Sequence, residues 1–275
     1  MHLVKPPSDP FDALITRDSV MRRVVQQLRA WSKLAVHGLI TGHSGVGKSL
    51  TARVLHMAGS PPHASFVECR HAEARGVANP WATLAQSGGT LVLDGIEGWS
   101  LEDQAAVVQR LEGRGSAAAP LRVLGTSRLS LSRLQLEGRL HPGLDRRWAD
   151  RVVHLPPLRA RPDDVAPLVE TMLRRAGRSS VRLAPEAWRA LTAHGWPGNV
   201  RELRQVVDAT LARCTHETVE ARHLVLDPLA PPALEGLADG SFDAMRQEVD
   251  AWYLRRLLHQ TDGNLSEAAR RSGCS

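Results

Sequence analysis

The apolar positions of this chain switch between two periods up to about residue 158 and keep only the helical one beyond it. Asp18 or Ser19 can cap a helix running to about Lys33, with Val20, Val24, Leu28 and Trp31 on one face. The run Val36 to Thr41 is continuously apolar, as a buried strand is. Leu50, Val54 and Leu55 then return to helical spacing over Lys48–Met57. The string PPHAS at 61–65 marks a turn before a short strand at Phe66–Cys69, and Gly88-Gly89 announces another at Thr90–Asp94. Leu101–Leu111 reads as a helix, Leu121–Thr126 as a buried strand, and Arg151–Leu155 as a further strand closed by Pro156-Pro157. Strands alternating with helices predict an α/β fold, a parallel sheet with helices on both faces.

From Arg161 to about Leu226 the pattern is wholly helical. Pro162-Asp163-Asp164, Ala184-Pro185-Glu186 and Trp196-Pro197-Gly198-Asn199 open three helices. Residues 227–240, rich in Pro, Gly and Ala, read as a linker. Phe242–Gln260 predicts one amphipathic helix, with Met245, Val249, Trp252, Leu254 and Leu257 apolar, and a short helix starts at Leu265. The expected organisation is a lead at 1–13, an α/β unit at 14–158, a helical unit at 159–226, the linker, and a helical tail at 241–275.

Chemistry enters at residues 42–49, GHSGVGKS, which complete the pattern G-x-x-x-x-G-K-S/T between a strand and a helix. Gly42, Gly45 and Gly47 let the backbone turn tightly, so that the N–H groups of the loop, His43, Ser44, Val46 and Leu50 included, can point at phosphate oxygens at a helix N-terminus. Lys48 supplies a cation for the β- and γ-phosphates, and the Ser49 hydroxyl is a ligand for Mg²⁺. The expected cofactors are ATP or ADP with Mg²⁺. A formal charge of +6 suits an acidic partner, but the Arg residues behind it are scattered through amphipathic helices, as on a solvated face. Cys69, Cys214 and Cys274 stand too far apart for a disulfide framework or a zinc site. No 18-residue apolar run and no signal core occur, so a cytoplasmic protein without a membrane partner is expected.

Several strings beyond the phosphate loop carry a resemblance: GGTLVLDGIEG at 88–98, LRVLGTSR at 121–128, LPPLRARPDDV at 155–165 and WPGNVRELRQV at 196–206. In this order, over roughly residues 14–226, they resemble the AAA+ domain of the NtrC-like bacterial enhancer-binding proteins, the activators of sigma-54 RNA polymerase. The resemblance makes 14–158 the nucleotide-binding subdomain and 159–226 its lid, and the tail looks like a partial Fis-type helix-turn-helix. It implies that Asp94 is the Walker B aspartate, holding Mg²⁺ through water, and that Arg201 is the lid's sensor for the γ-phosphate. Thr126 and Ser127 lie where the family has Thr-Asn, and Arg147 matches one of two arginine fingers offered to a neighbouring subunit.

The departures from the family pattern define the functional expectation. The Walker B glutamate that polarises water is Gly95 here, and loss of a positioned base commonly costs ~10²–10⁴ in rate. Glu97, two residues on, is the remaining carboxylate that can serve as a base. Arg70 replaces the family's Asn on the preceding strand, and His141 replaces the other finger. Between Arg70 and Ser87 there is no GAFTGA string, the loop with which the family grips the sigma factor. The expected protein is therefore an ATP-binding transcriptional regulator that hydrolyses weakly or not at all and does not activate sigma-54. The alternative is an active AAA+ ATPase that remodels sigma-54 RNA polymerase or another protein. A homo-oligomer, dimer or ring, is expected, with RNA polymerase or another regulator as a partner. Arg270 and Arg271 can meet DNA phosphates, but the chain stops before a recognition helix.

Overall fold

The computed structural model of the chain describes residues 9–34, 36–70, 84, 87–113, 120–214, 217–226, 246–247, 249–254, 257, 261, 270 and 272. They fall into two compact units, Met1–Leu168 and Val169–Ser275. In the first unit Asp18 caps α1 (Ser19–Ser32), its carboxylate accepting from Met21 N at 2.8 Å. β1 (Gly38–Thr41) leads into α2 (Lys48–Gly59), followed by β2 (Ser65–Arg70), β3 (Gly89–Asp94), α3 (Leu101–Glu112) and β4 (Leu121–Ser127). α4 (Leu131–Leu136), α5 (Pro142–Trp148) and β5 (Val152–His154) complete the unit's main elements. The five strands pair in the order β2-β3-β4-β1-β5, every neighbour parallel.

The sheet is covered on both faces, which is why its strands are apolar at consecutive positions rather than at every second one. Ile40, Val92, Leu124 and Val153 face a core shared with Val24, Leu28 and Trp31 of α1 and with Val54 and Leu55 of α2. Their neighbours Leu39, Leu91, Leu93 and Val123 face Val107 and Val108 of α3, Leu134 of α4, and Leu144 and Trp148 of α5. Trp148 lies fully buried under β4, where a Cβ on Gly125 would come within 2.5 Å of its ring. α4 and α5 carry no period long enough to read from sequence. They are set instead by local caps, Ser130 accepting from Arg133 N and His141 from Gly143 N.

Two faces predicted from periodicity are corrected. Val20 is exposed, and the adjacent Met21 joins Val24, Leu28 and Trp31 in the core, since only one of two neighbouring positions can point inward. Leu50 is 43% exposed, and α2 buries Thr51, Ala52, Val54 and Leu55. There the small Thr51 and Ala52 face inward, Thr51 Oγ1 also donating to Gly47 O at 3.1 Å.

A buried cation ties two helix ends to the middle of the sheet. Arg122 of β4 donates to Leu55 O of α2 at 2.7 Å, and to Leu34 O and Ser32 O at the end of α1 at 2.8 and 3.4 Å. Burial lowers its pKa. Carbonyls at a helix C-terminus carry partial negative charge, so a guanidinium there satisfies them without a carboxylate.

In the second unit α7 (Pro185–Ala193) and α8 (Asn199–Arg213) follow α6 (Val165–Arg175), across whose first turn the division falls. The helical region also contains a parallel pair, β6 (Arg182–Leu183) with β7 (Thr218–Val219), two residues each and too short to leave a period. The WPGN turn is held in left-handed backbone at Trp196 (φ 47) and Asn199 (φ 54). Trp196 is buried with Nε1 on Leu191 O at 2.9 Å, and Glu202 accepts from Gly198 N at 2.7 Å. Those anchors account for the departure from regular helix. Of the tail, Val249, Trp252 and Leu254 lie in helical turns, with Leu254 exposed and Leu257 buried. Met245, the linker expected at 227–240, Arg271 and the short helix expected from Leu265 lie outside the described residues. Among the described residues no helix is long and apolar enough to cross a membrane.

His37, just before β1, makes the unit pH-sensitive. Burial first, then the charges of Arg147, Arg151 and Arg122, hold its pKa down from 6.5 to about 4, and its Nδ1 accepts from Val123 N at 3.0 Å. The unfolded chain thus binds the proton more readily, so stability is full above the unfolded value and falls as pH drops from 6.5 towards 4. Denaturant unfolding at about pH 7.5 and about pH 5.5 is expected to show a loss of about 1 kcal/mol that His37→Gln largely abolishes. An equal loss in the variant would assign the dependence to another group.

Candidate nucleotide site

The carboxyl ends of the strands form one edge of the sheet, and the register lines up the residues there. Thr41 of β1 lies opposite Ser127 and His154, and Arg70 of β2 lies opposite Asp94 of β3. Ligands of open parallel sheets bind at this edge.

The phosphate loop is built there from backbone. Gly42 (φ 145), Gly45 (φ 73) and Gly47 (φ 114) adopt positive φ, and a Cβ at Gly42 would come within 2.8 Å of Leu155 O. Gly42 N donates to Ser127 O at 3.1 Å, which moors the start of the loop to β4. Gly47 caps α2 with no side chain, so the first amides of that helix are left to a ligand. His43 and Val46 are buried, Ser44, Gly45 and Ser49 half-buried. Lys48 Nζ folds across the loop onto Gly42 O at 2.6 Å and His43 O at 2.9 Å. Such a cradle of amides and one ammonium fits a chain of phosphates.

The loop is also held from below. Arg161, 3% exposed, donates to Val46 O at 3.2 Å and to Asp164 Oδ2 at 3.3 Å. Asp164, fully buried, accepts as well from Thr16 Oγ1 at 2.9 Å, Asp18 N at 3.0 Å and Arg17 N. Burial lowers the pKa of Arg161, and Asp164 and Asp18 act against that. The string LPPLRARPDDV contains this pair, yet nothing in its spacing shows that Arg161 reaches the phosphate loop.

At the end of β3 the carboxylate of Asp94 is already shared. Thr126 Oγ1 donates to its Oδ1 at 2.6 Å and Arg70 Nε to its Oδ2 at 3.2 Å. Trp99 Nε1 donates to the Asp94 carbonyl at 3.1 Å, and Gly95 N donates to Thr126 Oγ1 at 3.0 Å. Ser49 and Asp94 are the residues expected to hold Mg²⁺, and an ion at Asp94 would meet the guanidinium of Arg70 already paired with Oδ2. The donor set therefore fits Mg²⁺ less well than the loop fits phosphate.

Gly95 does more than omit a side chain. Its backbone is left-handed (φ 66, ψ 54), and it starts a single 3-10 turn, Ile96–Gly98, that includes Glu97. Glu97 Oε1 accepts from Arg128 Nε at 2.9 Å and Arg128 N at 3.3 Å, while its buried Oε2 has no hydrogen-bond partner among the described residues. Arg128 was legible only as a polar residue after β4. Ser127 is fully buried and its Oγ accepts from Leu129 N at 2.9 Å, so Thr126 is the residue that touches Asp94.

The finger candidates are engaged locally. Arg147 NH1 donates to Gly143 O at 2.7 Å, and NH2 lies 3.4 Å from Glu112. His141 caps α5, its Nδ1 accepting from Gly143 N at 3.0 Å and its own N–H donating to Gln104 Oε1 at 2.9 Å. Arg201 belongs to the second unit and is exposed on the first turn of α8.

Comparison with known proteins agrees with this architecture. The profile described as Sigma-54 interaction domain matches residues 15–158, and that described as AAA+ ATPase lid domain matches 159–232. The transcriptional regulatory protein GlrR of Escherichia coli is 29% identical over 95% of this chain and 65% of its own length. The anaerobic nitric oxide reductase transcription regulator NorR of Salmonella typhimurium is 34% identical over 84% of this chain and 54% of its own. The chain thus spans between about half and two thirds of the length of these relatives. Among solved structures, NtrX from Brucella abortus in complex with ADP superposes with a TM-score of 0.63 at 24% identity, over 95% of this chain and 67% of that one.

The buried pair gives a direct test of the support beneath the loop. Asp164→Ala strands Arg161 without a counter-charge and removes the acceptor of Thr16, Arg17 and Asp18, so denaturant unfolding is expected to show a loss of about 3–5 kcal/mol. A loss below about 1 kcal/mol would show that the pair is dispensable.

Proposed function

We propose, from the premise that this chain belongs to the sigma-54 interaction domain family of AAA+ proteins, that it is a regulatory module in transcription that binds ATP or ADP and does little or no hydrolysis. The observation that carries the reading is the contrast at one sheet edge. The phosphate loop is complete, moored by Ser127 and Arg161, whereas the end of β3 has a left-handed Gly95 in place of a base. NtrX of Brucella abortus has been solved with ATP and with ADP, and carried over to this chain the same ligands fit Gly42–Leu50. The base, the metal and the finger are the incomplete parts. Glu97 is clamped by Arg128, Asp94 by Arg70, and Arg147 by its own helix.

Gripping of sigma-54 is not part of this proposal, because no GAFTGA string stands between Arg70 and Ser87. The module acts in the cytoplasm by nucleotide-dependent association, with its own copies and with RNA polymerase or another regulator, and Arg147 and Arg201 are its candidates for reading a neighbour's or its own γ-phosphate. Arg270 adds charge for DNA phosphates. The second reading, hydrolysis with Glu97 as base, draws on its buried and unpartnered Oε2.

Titration of a fluorescent ATP analogue, with light scattering on the same samples, tests the proposal. Binding is expected in the unmodified chain and is expected to weaken by at least about tenfold in Lys48→Ala, since a phosphate-bound ammonium contributes on the order of 1.5–3 kcal/mol. Saturation is expected to raise the mean mass. No binding, or equal binding in Lys48→Ala, would contradict the nucleotide role, and an unchanged mass would contradict association.

A further inference from the structure

We propose that Arg70 is a resident cation of the nucleotide site, standing beside Asp94 in the place of a divalent ion, so that the chain binds nucleoside triphosphate with little dependence on Mg²⁺. The inference rests on the nucleotide-binding reading above and names how that site manages charge.

Four observations carry it. Arg70 and Asp94 are Cα partners at the ends of adjacent parallel strands, so the backbone itself brings their side chains together. Arg70 Nε sits 3.2 Å from Asp94 Oδ2, and Oδ1 is taken by Thr126 at 2.6 Å, so both oxygens of the carboxylate are engaged within the protein. The guanidinium is 69% exposed against 23% for the carboxylate, and is therefore accessible from solvent while holding the pair. Gly95 then leaves the next position without a side chain, so no second carboxylate stands there to attract a metal.

Charge arithmetic gives these facts their direction. A polyphosphate entering the loop brings several negative charges close to Asp94, and that repulsion needs a cation. Mg²⁺ ordinarily supplies it, bridging phosphate oxygens and a Walker B aspartate. An arginine already beside that aspartate supplies a permanent positive charge, with a planar fork suited to phosphate oxygens. A metal ion approaching the same aspartate competes with Arg70 for its charge and is repelled by the guanidinium beside it. As a contribution to stability the exposed pair is worth little, which sets a structural role aside. Its position beside Asp94, at the carboxyl edge of the sheet from which the phosphate loop also starts, is what matters.

The test is calorimetric titration of the whole chain with ATP, in Mg²⁺ and in EDTA, for the unmodified protein, Arg70→Asn and Lys48→Ala, with circular dichroism to show that each variant is folded. The unmodified chain is expected to change affinity by less than about threefold between the two buffers. Arg70→Asn is expected to lose about tenfold or more in EDTA and to recover most of it in Mg²⁺, because Asn lets the ion reach Asp94. A drop of tenfold or more in EDTA for the unmodified chain would overturn the proposal. So would an equal loss in both buffers for Arg70→Asn, which would make Arg70 a general attraction for phosphate. Absence of ATP binding in either buffer would remove the nucleotide reading itself, and this inference with it, an outcome distinct from Mg²⁺-dependent binding.

Discussion

A guanidinium and a carboxylate buried together beneath the phosphate loop, Arg161 and Asp164, hold the first unit in register. Both are buried, and an ion pair in that position is tolerable where most of its lone pairs and protons find use, as here they do apart from Arg161 Nε, which has no partner among the described residues. Here Asp164 collects the hydroxyl of Thr16 and the amides of Arg17 and Asp18, the residues that lead into α1. Arg161 spends its other arm on the carbonyl of Val46, in the middle of the phosphate loop. One pair thus fixes the entry to the first helix and the shape of the loop. The glycines of the loop supply the freedom to adopt positive φ, and the pair below removes it again once the conformation is reached.

At the sheet edge above, the polar side chains are committed to one another. Asp94 is shared by Thr126 and Arg70, Glu97 is held by Arg128, and Ser127 serves its own turn. Gly95 is the pivot of that arrangement. Its left-handed backbone turns the chain so that Glu97 meets Arg128, and a glutamate at position 95 would meet open space but would cost about 1–2 kcal/mol in that conformation. Position 95 therefore lacks a side chain and also redirects the backbone. The proposal that the chain holds a nucleotide and activates water poorly draws on this combination of a phosphate cradle with internally paired carboxylates.

The α/β order, the phosphate loop and Asp94 were legible because each depends on local pattern: strand runs, glycine spacing, and an acidic residue closing an apolar strand. The faces of α1 and α2 were misread at Val20 and Leu50, because periodicity cannot choose between adjacent apolar positions or foresee a buried threonine. α4 and α5 escaped because short helices set by caps carry too few turns for a period. Arg70 was read as a missing asparagine, and only strand pairing between residues 24 apart in sequence shows it as the partner of Asp94. The clamp of Arg128 on Glu97 is of the same kind. Contacts across the sheet depend on register, and register is a property of the fold.

The most direct measurement is phosphate release from ATP by the unmodified chain with Mg²⁺, followed at saturating nucleotide beside Lys48→Ala and Glu97→Ala. The account predicts a rate no greater than the Lys48→Ala background in all three proteins, although the unmodified chain is saturated with ATP. Steady turnover by the unmodified chain that Glu97→Ala abolishes would contradict it, showing that Glu97 escapes Arg128 and serves as the base.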